Sequence, residues 1–486
     1  MKKILIFTVA LTMAATMLAD IPQNYYSSAS GKKGAALKTA LRDIVYDHTA
    51  YSYGDLWKLF SITDRRSDDL SRVWDMYSNT TYYFNGQAAV SGMHKEHSFP
   101  KSWWGGSEDI TEFPCYTDLN HLYPADGNAN MAKSNWPLGE VNTSASVTFD
   151  NNSAKVGTPV SGQGGDASAV FEPADEYKGD FARTYFYMVT CYQDLNWSYT
   201  WMVRNKTEDY RCLQSWAIDL LLKWNRQDPV SAKEISRNNK VYHIQHNRNP
   251  YIDHPELAEY VFGSKTGSAW SDSNPGKPLR FKLTSSVTPG KRYLIVANNN
   301  GTLKAMDPID VTRAYQYPPA RQVEATGDVI TVTDDRNAFT LLQEGQGYYL
   351  KDCMDRYYYQ EDSYKTLRVL GMPSASYLWT ITPQSDGTFS IKQNGYRLEY
   401  RNTYDTYGVY TTPTGIMPRL YEEISLSGDV NGDGQITIAD ANVVIAIILN
   451  GTDSVDAGTL ARADVNGDGQ ITIADANAVI AAILSN

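Results

Sequence analysis

Between Met93 and Val141 the chain gathers His94, Glu96, His97, His121, Asp126, Asn128 and Asn130 among prolines and glycines, in the segments MHKEHSFPKSWWGG and DLNHLYPADGNANMAKSNWPLGEV. That composition suits a metal-assisted hydrolytic site. Cleaving a phosphodiester calls for a base to take a proton from water, a cation against the charge growing on the phosphoryl and leaving oxygens, and rigid positioning of both. A neutral imidazole beside an oxygen-rich cation site supplies all three. On an extended strand the adjacent Glu96 and His97 point to opposite faces, so a strand end or bend is needed for both to approach one centre. Pro100 fits such an ending, because proline cannot donate to a ladder. PADGNANMAKSN reads as a turn running into a short helix, with Asp126 or Asn128 at the N-cap and Asn130 in the first turn. Carboxylate and amide oxygens there suit a hard cation such as magnesium rather than zinc. The run HKEH has neither HExxH nor HxxEH spacing, and SFP cannot continue a helix, which argues against a zinc peptidase. Any one of these side chains alone would more simply satisfy loop backbone. It is the constellation that points to chemistry.

These segments resemble the endonuclease I family of secreted and periplasmic nucleases, built round a ββα-metal (His-Me) finger. FEPADEYKGDFARTYFYM (Phe171 to Met188), LLKWNRQDPVSAKEISRNN (Leu221 to Asn239) and VYHIQHNRNPYIDHPEL (Val241 to Leu257) resemble later blocks of that family, in the same order. The resemblance implies that His97 is the general base, that Glu96 and Asn130 hold the metal (Mg2+), and that His121 orients the loop. Arg183, in GDFAR, matches a basic residue of a later block and is the candidate contact to phosphate or product. The implied reaction is hydrolysis of DNA, with RNA left open, to 5′-phosphate products. Lys101 and Lys133 lie close in sequence and would neutralise backbone charge, whereas Asn249, Asp253 and His254 are expected to pin a turn. The competing class is an extracellular binding or scaffold protein with a catalytically inactive nuclease-like domain; the full His, Glu and Asn set favours the enzyme.

Charge does not add to that case. Residues 20–264 carry 23 Lys+Arg against 30 Asp+Glu, a net of −7, where a nucleic-acid binder usually shows a basic face. A cation at the site and a local basic cleft can still hold a phosphodiester, with strong dependence on divalent cation and salt. The start, MKKILIFTVALTMAATMLAD, reads as a secretory signal cleaved near Ala19 and Asp20, so a secreted or extracellular protein is expected, with the periplasm or cell surface also open. No later run of 18 continuous apolar residues occurs, so no transmembrane segment is expected. Cys191 and Cys212 flank a Trp/Tyr-rich stretch and could pair in an oxidising compartment, although the four cysteines allow several connectivities.

At the far end DVNGDGQITIAD occurs from Asp429 to Asp440 and again from Asp464 to Asp475, an offset of 35 residues. Oxygen side chains fall at loop positions 1, 3, 5, 9 and 12, with glycine at 6: Asp429, Asn431, Asp433, Thr437 and Asp440, then Asp464, Asn466, Asp468, Thr472 and Asp475. Gln435 and Gln470 stand at position 7, where a backbone carbonyl would coordinate Ca2+. Position 12 is Asp rather than Glu, and each loop is followed by one apolar helix. Loop plus single helix, given twice, resembles a type I dockerin. Residues 428–486 carry eight Asp against one Arg, a net of −7 that calcium would have to neutralise. The resemblance implies a cohesin-like partner, met near Ala441, Asn442, Ala476 and Asn477; a stabilising cap with no partner is the alternative.

Between these regions, residues 265–278 look like a linker by their Ser, Gly and Pro content. Short alternating runs follow, such as KRYLIVAN and DVITVTD, separated by Gly, Asn and Asp turns, and they argue for an all-β sandwich or trefoil-like barrel. Its tyrosines and Trp379 read more simply as core or cross-strand pairs than as a polymer platform, and the net charge of +1 over residues 265–427 hints at no nucleic-acid surface. The expectation is therefore multidomain: a signal peptide at 1–19, an α+β His-Me finger nuclease domain at 20–264, a linker at 265–278, an all-β domain at 279–425 and a small all-α calcium-binding dockerin at 428–486.

Overall fold

The computed structural model describes residues 21–485 except 106–108, 274, 362, 413, 425–427, 433–434, 453–454 and 467–468. The expected signal peptide, Asp433 and Asp468 lie outside the described residues.

The first region is organised round α4 (Lys178–Cys191), every residue of which is buried. Its FARTYFYMV run is aromatic and apolar apart from Arg183 and Thr184, and it buries those two as well. Against it pack the amphipathic α1 (Gly34–Val45) and α5 (Ser215–Gln227), whose buried faces are Leu37, Leu41 and Val45, and Ile218, Leu221 and Leu222. The rest of the scaffold is α2 (Leu56–Thr63), α6 (Ala232–Gln245), α7 (Pro250–Asp253), α8 (Leu257–Val261) and a small sheet of β3 (Val147–Asp150), β4 (Lys155–Gly157) and β5 (Val170–Glu172). Onto this scaffold sits a hairpin-like pair, β1 (Met93–His97) and β2 (Leu122–Asp126), followed at once by α3 (Gly127–Lys133). The pair is antiparallel, with Glu96 opposite Tyr123 and His97 opposite Leu122.

Residues 265–278 do not behave as a free tether. Trp270 is 1% exposed, donates Nε1–H to Glu256 Oε1 at 3.1 Å, and exchanges backbone hydrogen bonds with Gly31 and Lys32. An apolar ring in a Ser/Gly/Pro-rich stretch was the signal for docking, and burial outweighs linker composition.

From Leu279 to Ile424 every named strand pairing is antiparallel. The strands form an eleven-stranded and a four-stranded sheet, the latter made of Thr380–Pro383, Phe389–Gln393, Tyr396–Arg401 and Thr406–Tyr410. Tyr293, Ile295, Phe339 and Leu341 of the larger sheet share one core with Trp379, Ile391, Leu398 and Val409. No ladder among the described residues closes the larger sheet on itself. This sheet-rich region is seated on the first one: Leu56, Phe60, Val241 and Ile244 share a buried cluster with Val311 and Met354. Round that cluster His243 Nε2 meets Asp335 Oδ1 at 2.9 Å, Tyr242 Oη donates to Asp334 at 3.2 Å and Lys240 reaches Asp355 at 3.2 Å.

Among the described residues the C-terminal region has three helices rather than two, α9 (Ile438–Asn450), α10 (Ala457–Ala463) and α11 (Ile473–Ser485). The extra one starts where Asp456 accepts from Thr459 N–H at 2.9 Å, an N-cap inside the connecting segment. Val430, Ala441, Val444, Ile447, Ala463, Ala476 and Val479 form its core. Ala441 and Ala476 are thus buried and are not available to a partner, whereas Asn442 and Asn477 are exposed. Alanine at helix starts fits the close approach of α9 and α11, which sequence position alone could not distinguish from a surface role.

Candidate active site

The strand alternation sends Glu96 and His97 to different surroundings. Glu96 turns towards α3, where its Oε1 accepts from Lys133 Nζ at 2.8 Å, both side chains being buried. Burial pushes the Glu96 carboxyl up, and the Lys133 ammonium opposes that shift. His97 ends the strand inside an aromatic enclosure: Tyr53 lies parallel to it at 6.1 Å, Tyr116 at 5.2 Å, Trp104 at 5.9 Å and His121 at 5.5 Å. The His97 Nε2–H donates to Tyr116 O at 2.9 Å. A carbonyl can only accept, so this bond fixes the proton on Nε2 and leaves Nδ1 as the basic nitrogen. Burial, first, and then the nearby His121, Lys101 and Lys133 pull the His97 pKa down to about 3, which keeps the ring neutral.

His121 is wholly buried and its Nε2 donates to Cys115 O at 2.6 Å, while its own carbonyl accepts from Ser98 N at 3.0 Å. Both histidines are therefore held by consecutive carbonyls of one 3-10 turn, Pro114–Thr117. Asp126 is the N-cap of α3, its Oδ1 accepting from Asn128 N and Ala129 N at 2.9 Å each, and Tyr82 Oη donates to Oδ2 at 2.6 Å. Asn130 follows on the first turn, with its Nδ2 at 3.2 Å from His94 Nδ1. The ββα arrangement thus sets Lys133 against Glu96, His121 beside His97 and Asn130 against His94. Lys101, 5.8 Å from the Tyr116 ring centroid, stands at the exposed rim.

Arg183 is not there, which corrects the expected phosphate contact. It lies on α4 with no exposure, gives Nε and Nη2 to Glu234 at 2.6 and 2.8 Å, and gives Nη1 to Asn225 Oδ1 and Asp228 O. Glu234 is at the same time the N3 residue of the α6 capping box with Ser231. A guanidinium with those partners is structural. Asn249 caps α7 by accepting from Tyr251 N at 3.0 Å, and Asp253 accepts from Arg248, Asn238 and Tyr26, so both pin the turn as expected. Cys191 and Cys212 are not bonded: Cys212 Sγ sits 3.1 Å from Lys38 Nζ, Cys191 Sγ faces Val45 O, and both thiols are free.

Residues the sequence did not single out are Tyr53, Trp104, Tyr116 and Asp75. Asp75 accepts from Tyr77 N and Asp126 N, and burial raises its pKa to about 6. Backbone acceptors such as Tyr116 O have no signature in residue type; Pro114, which starts the 3-10 turn, was the available hint.

The Glu96 carboxylate, paired here with Lys133, and the Asn130 amide are oxygen donors of the kind a hard cation takes. Among the described residues no group of three or more His, Cys, Asp or Glu converges as a metal site. One carboxylate with one amide oxygen is a donor set for an ion that keeps most of its water, as magnesium does, and not for zinc.

Residues 33–256 match the family profile described as Endonuclease I, and residues 427–484 match that described as Dockerin type I domain. An extracellular ribonuclease of Bacillus amyloliquefaciens is 35% identical over 243 residues, 49% of this chain and 78% of the relative. One of Bacillus subtilis (strain 168) is 34% identical over 256 residues, 52% of this chain and 83% of the relative. Endonuclease-1 of Buchnera aphidicola subsp. Acyrthosiphon pisum (strain APS) is 27% identical over 158 residues, 31% of this chain and 53% of the relative. With its ββα site and this likeness to nucleases over most of their length, the chain belongs to the endonuclease I family.

Proposed function

We propose that the chain is a secreted, metal-dependent, non-specific endonuclease that hydrolyses phosphodiester bonds of DNA or RNA to 5′-phosphate products. The observation that carries this is the Nε2–H bond from His97 to Tyr116 O, which presents the neutral Nδ1 of a buried ring as a base one residue from Glu96. His97 takes the proton of the attacking water at Nδ1, and the aromatic walls of Tyr53 and Trp104 hold the ring in that orientation. Glu96 and Asn130 would hold Mg2+, which when bound stabilises charge on the scissile phosphate and leaving oxygen. Lys133 keeps the Glu96 carboxylate charged and oriented, and Lys101 faces the incoming backbone. RNA stands beside DNA because two relatives are extracellular ribonucleases.

The C-terminal loops fit Ca2+ by their alternating oxygen donors. Asp440 and Asp475 already draw each described loop closed, Oδ1 accepting from Asn431 N and Asn466 N, and Oδ2 from Thr437 N and Thr472 N. This region is the module through which the enzyme is displayed, by a cohesin-like partner. No helix among the described residues is long and apolar enough to cross a membrane.

The test is nicking of supercoiled plasmid and cleavage of a labelled RNA, with Mg2+, with EDTA, and with His97→Ala. Loss of roughly a hundredfold or more is expected from removing a general base. Cutting unchanged in the variant would reject the assignment, and no cutting by the native chain would leave the inactive scaffold reading.

A further inference from the structure

In the sheet-rich region, four segments build an aromatic and basic shelf. Strand Thr406–Tyr410 forms its floor, and its backbone is tied to two loops, Tyr407 N donating to Pro318 O at 2.8 Å and Val409 N to Lys365 O at 2.9 Å. Gly408 lets side chains close over this floor. A Cβ there would meet Tyr410 Oη at 2.9 Å, Lys365 O at 3.0 Å and Tyr317 Cε1 at 3.1 Å. Arg401 lies over the Tyr410 ring, its Cζ 3.8 Å from the centroid, with Lys365 Nζ at 5.9 Å. The groove beside them is lined by Lys365, Arg401, Thr403, Tyr404, Tyr410 and the threonines of residues 411–414, with no carboxylate among the described lining residues. Beneath it Glu399, wholly buried, pairs with both Arg397 and Arg401, so one carboxylate faces two guanidiniums. Tyr404 is 74% exposed and Tyr315, on the adjoining loop, 78%.

Exposed rings gathered beside basic side chains offer a stacking platform next to positive charge. One carboxylate against two guanidiniums, with the Lys365 ammonium beside them, leaves an excess of positive charge that favours a polyanion, hydroxyls of Thr403, Thr411 and Thr412 suit phosphate oxygens, and flat rings take unstacked bases. A duplex keeps its base faces stacked inside and has none to lay on these rings. The loop bearing Tyr315 and Tyr317 starts from Val311, which is buried in the cluster shared with the nuclease region. We propose that the shelf of Tyr404, Tyr410, Lys365 and Arg401 binds single-stranded nucleic acid, stacking its bases and pairing its phosphates, as an accessory site of this endonuclease. The choice of nucleic acid among polyanions rests on the nuclease reading.

The experiment uses the full-length His97→Ala chain in calcium buffer, so that cleavage does not consume the probe. Binding of 5′-fluorescein-labelled (dT)20 is followed by anisotropy, with Tyr404→Ala/Lys365→Ala and Lys365→Glu on the same background. At least tenfold weaker binding in the double variant, a shallower salt dependence in both, and unchanged melting temperatures are expected. Equal affinity in all three chains overturns the proposal, as does no binding of (dT)20 at all. Loss of binding to a neutral polysaccharide with oligonucleotide binding intact would make the shelf a carbohydrate site instead. Plasmid nicking by chains that retain His97 keeps the two readings apart: native and Tyr404→Ala/Lys365→Ala chains both nicking duplex while only the oligonucleotide affinity differs supports the shelf, whereas failure of the native chain to nick bears on the nuclease reading alone.

Discussion

At the ββα site His97 is held by a carbonyl 19 residues along the chain and its ring rests on Tyr53, brought in by a different segment. In the C-terminal repeats the closing bond of each loop spans only nine residues, from Asn431 to Asp440 and again from Asn466 to Asp475. One site depends on the whole core to exist; the other is a local device used twice. The tertiary site can exclude water and fix a tautomer, which local loops cannot do, while the local loops can be copied without altering anything around them.

The largest expected effect separates these designs. Arg183→Ala leaves Glu234 buried without the guanidinium that pairs with it, Asp180 still meeting Lys233, and should lower stability of the nuclease region by about 3–5 kcal/mol, read by urea unfolding. A phosphate-contacting arginine would instead lower cleavage at unchanged stability. Asp440→Ala removes two backbone hydrogen bonds at the start of α9 and should cost about 0.5–2 kcal/mol, seen as helix lost by circular dichroism with calcium present. Asp475→Ala should match it, since the bonds recur at 3.1 and 2.8 Å; unequal losses would break the idea of interchangeable loops. In neither variant should the unfolding transition of the nuclease region move.

Acid should weaken the tertiary designs. Burial, helped by Arg336 for His246, lowers the pKa of His121 and His246 to about 4 from an ordinary 6.5. The unfolded chain then takes up protons first, so this stability is complete above about pH 6.5 and declines as pH falls towards 4. A melting temperature flat across that window would refute it. Smallest of all, Lys206→Ala at the exposed pair with Asp194 should change stability by no more than about 1 kcal/mol.

The sequence made the ββα constellation legible because Glu96, His97, Asp126 and Asn130 fall in two short segments whose turns and caps are written in Pro, Gly and Asp. Asp126 indeed caps α3. It made the calcium-type loops legible because a repeat of identical residues needs no tertiary information. Arg183 was misplaced for a physical reason: an arginine in an apolar helix looks the same in sequence whether its guanidinium leaves the core or meets Glu234 inside it. The docking of Trp270 escapes composition likewise, since composition says how a segment would behave alone, and the expected partner contact at Ala441 rests on resemblance, which carries no packing of this chain. The sequence does not reveal the shelf because Tyr317, Lys365 and Tyr410 meet only round Gly408, and Arg401 joins them only over the Tyr410 ring.

The seam between the first region and the sheets bears on any attempt to trim the protein. Cutting after residue 264 would strip cover from Val241 and Ile244 on α6 and from Leu56 and Phe60 on α2, besides leaving His243 without Asp335. A catalytic fragment made that way would carry a fresh greasy patch, and it should clump at concentrations the whole chain tolerates.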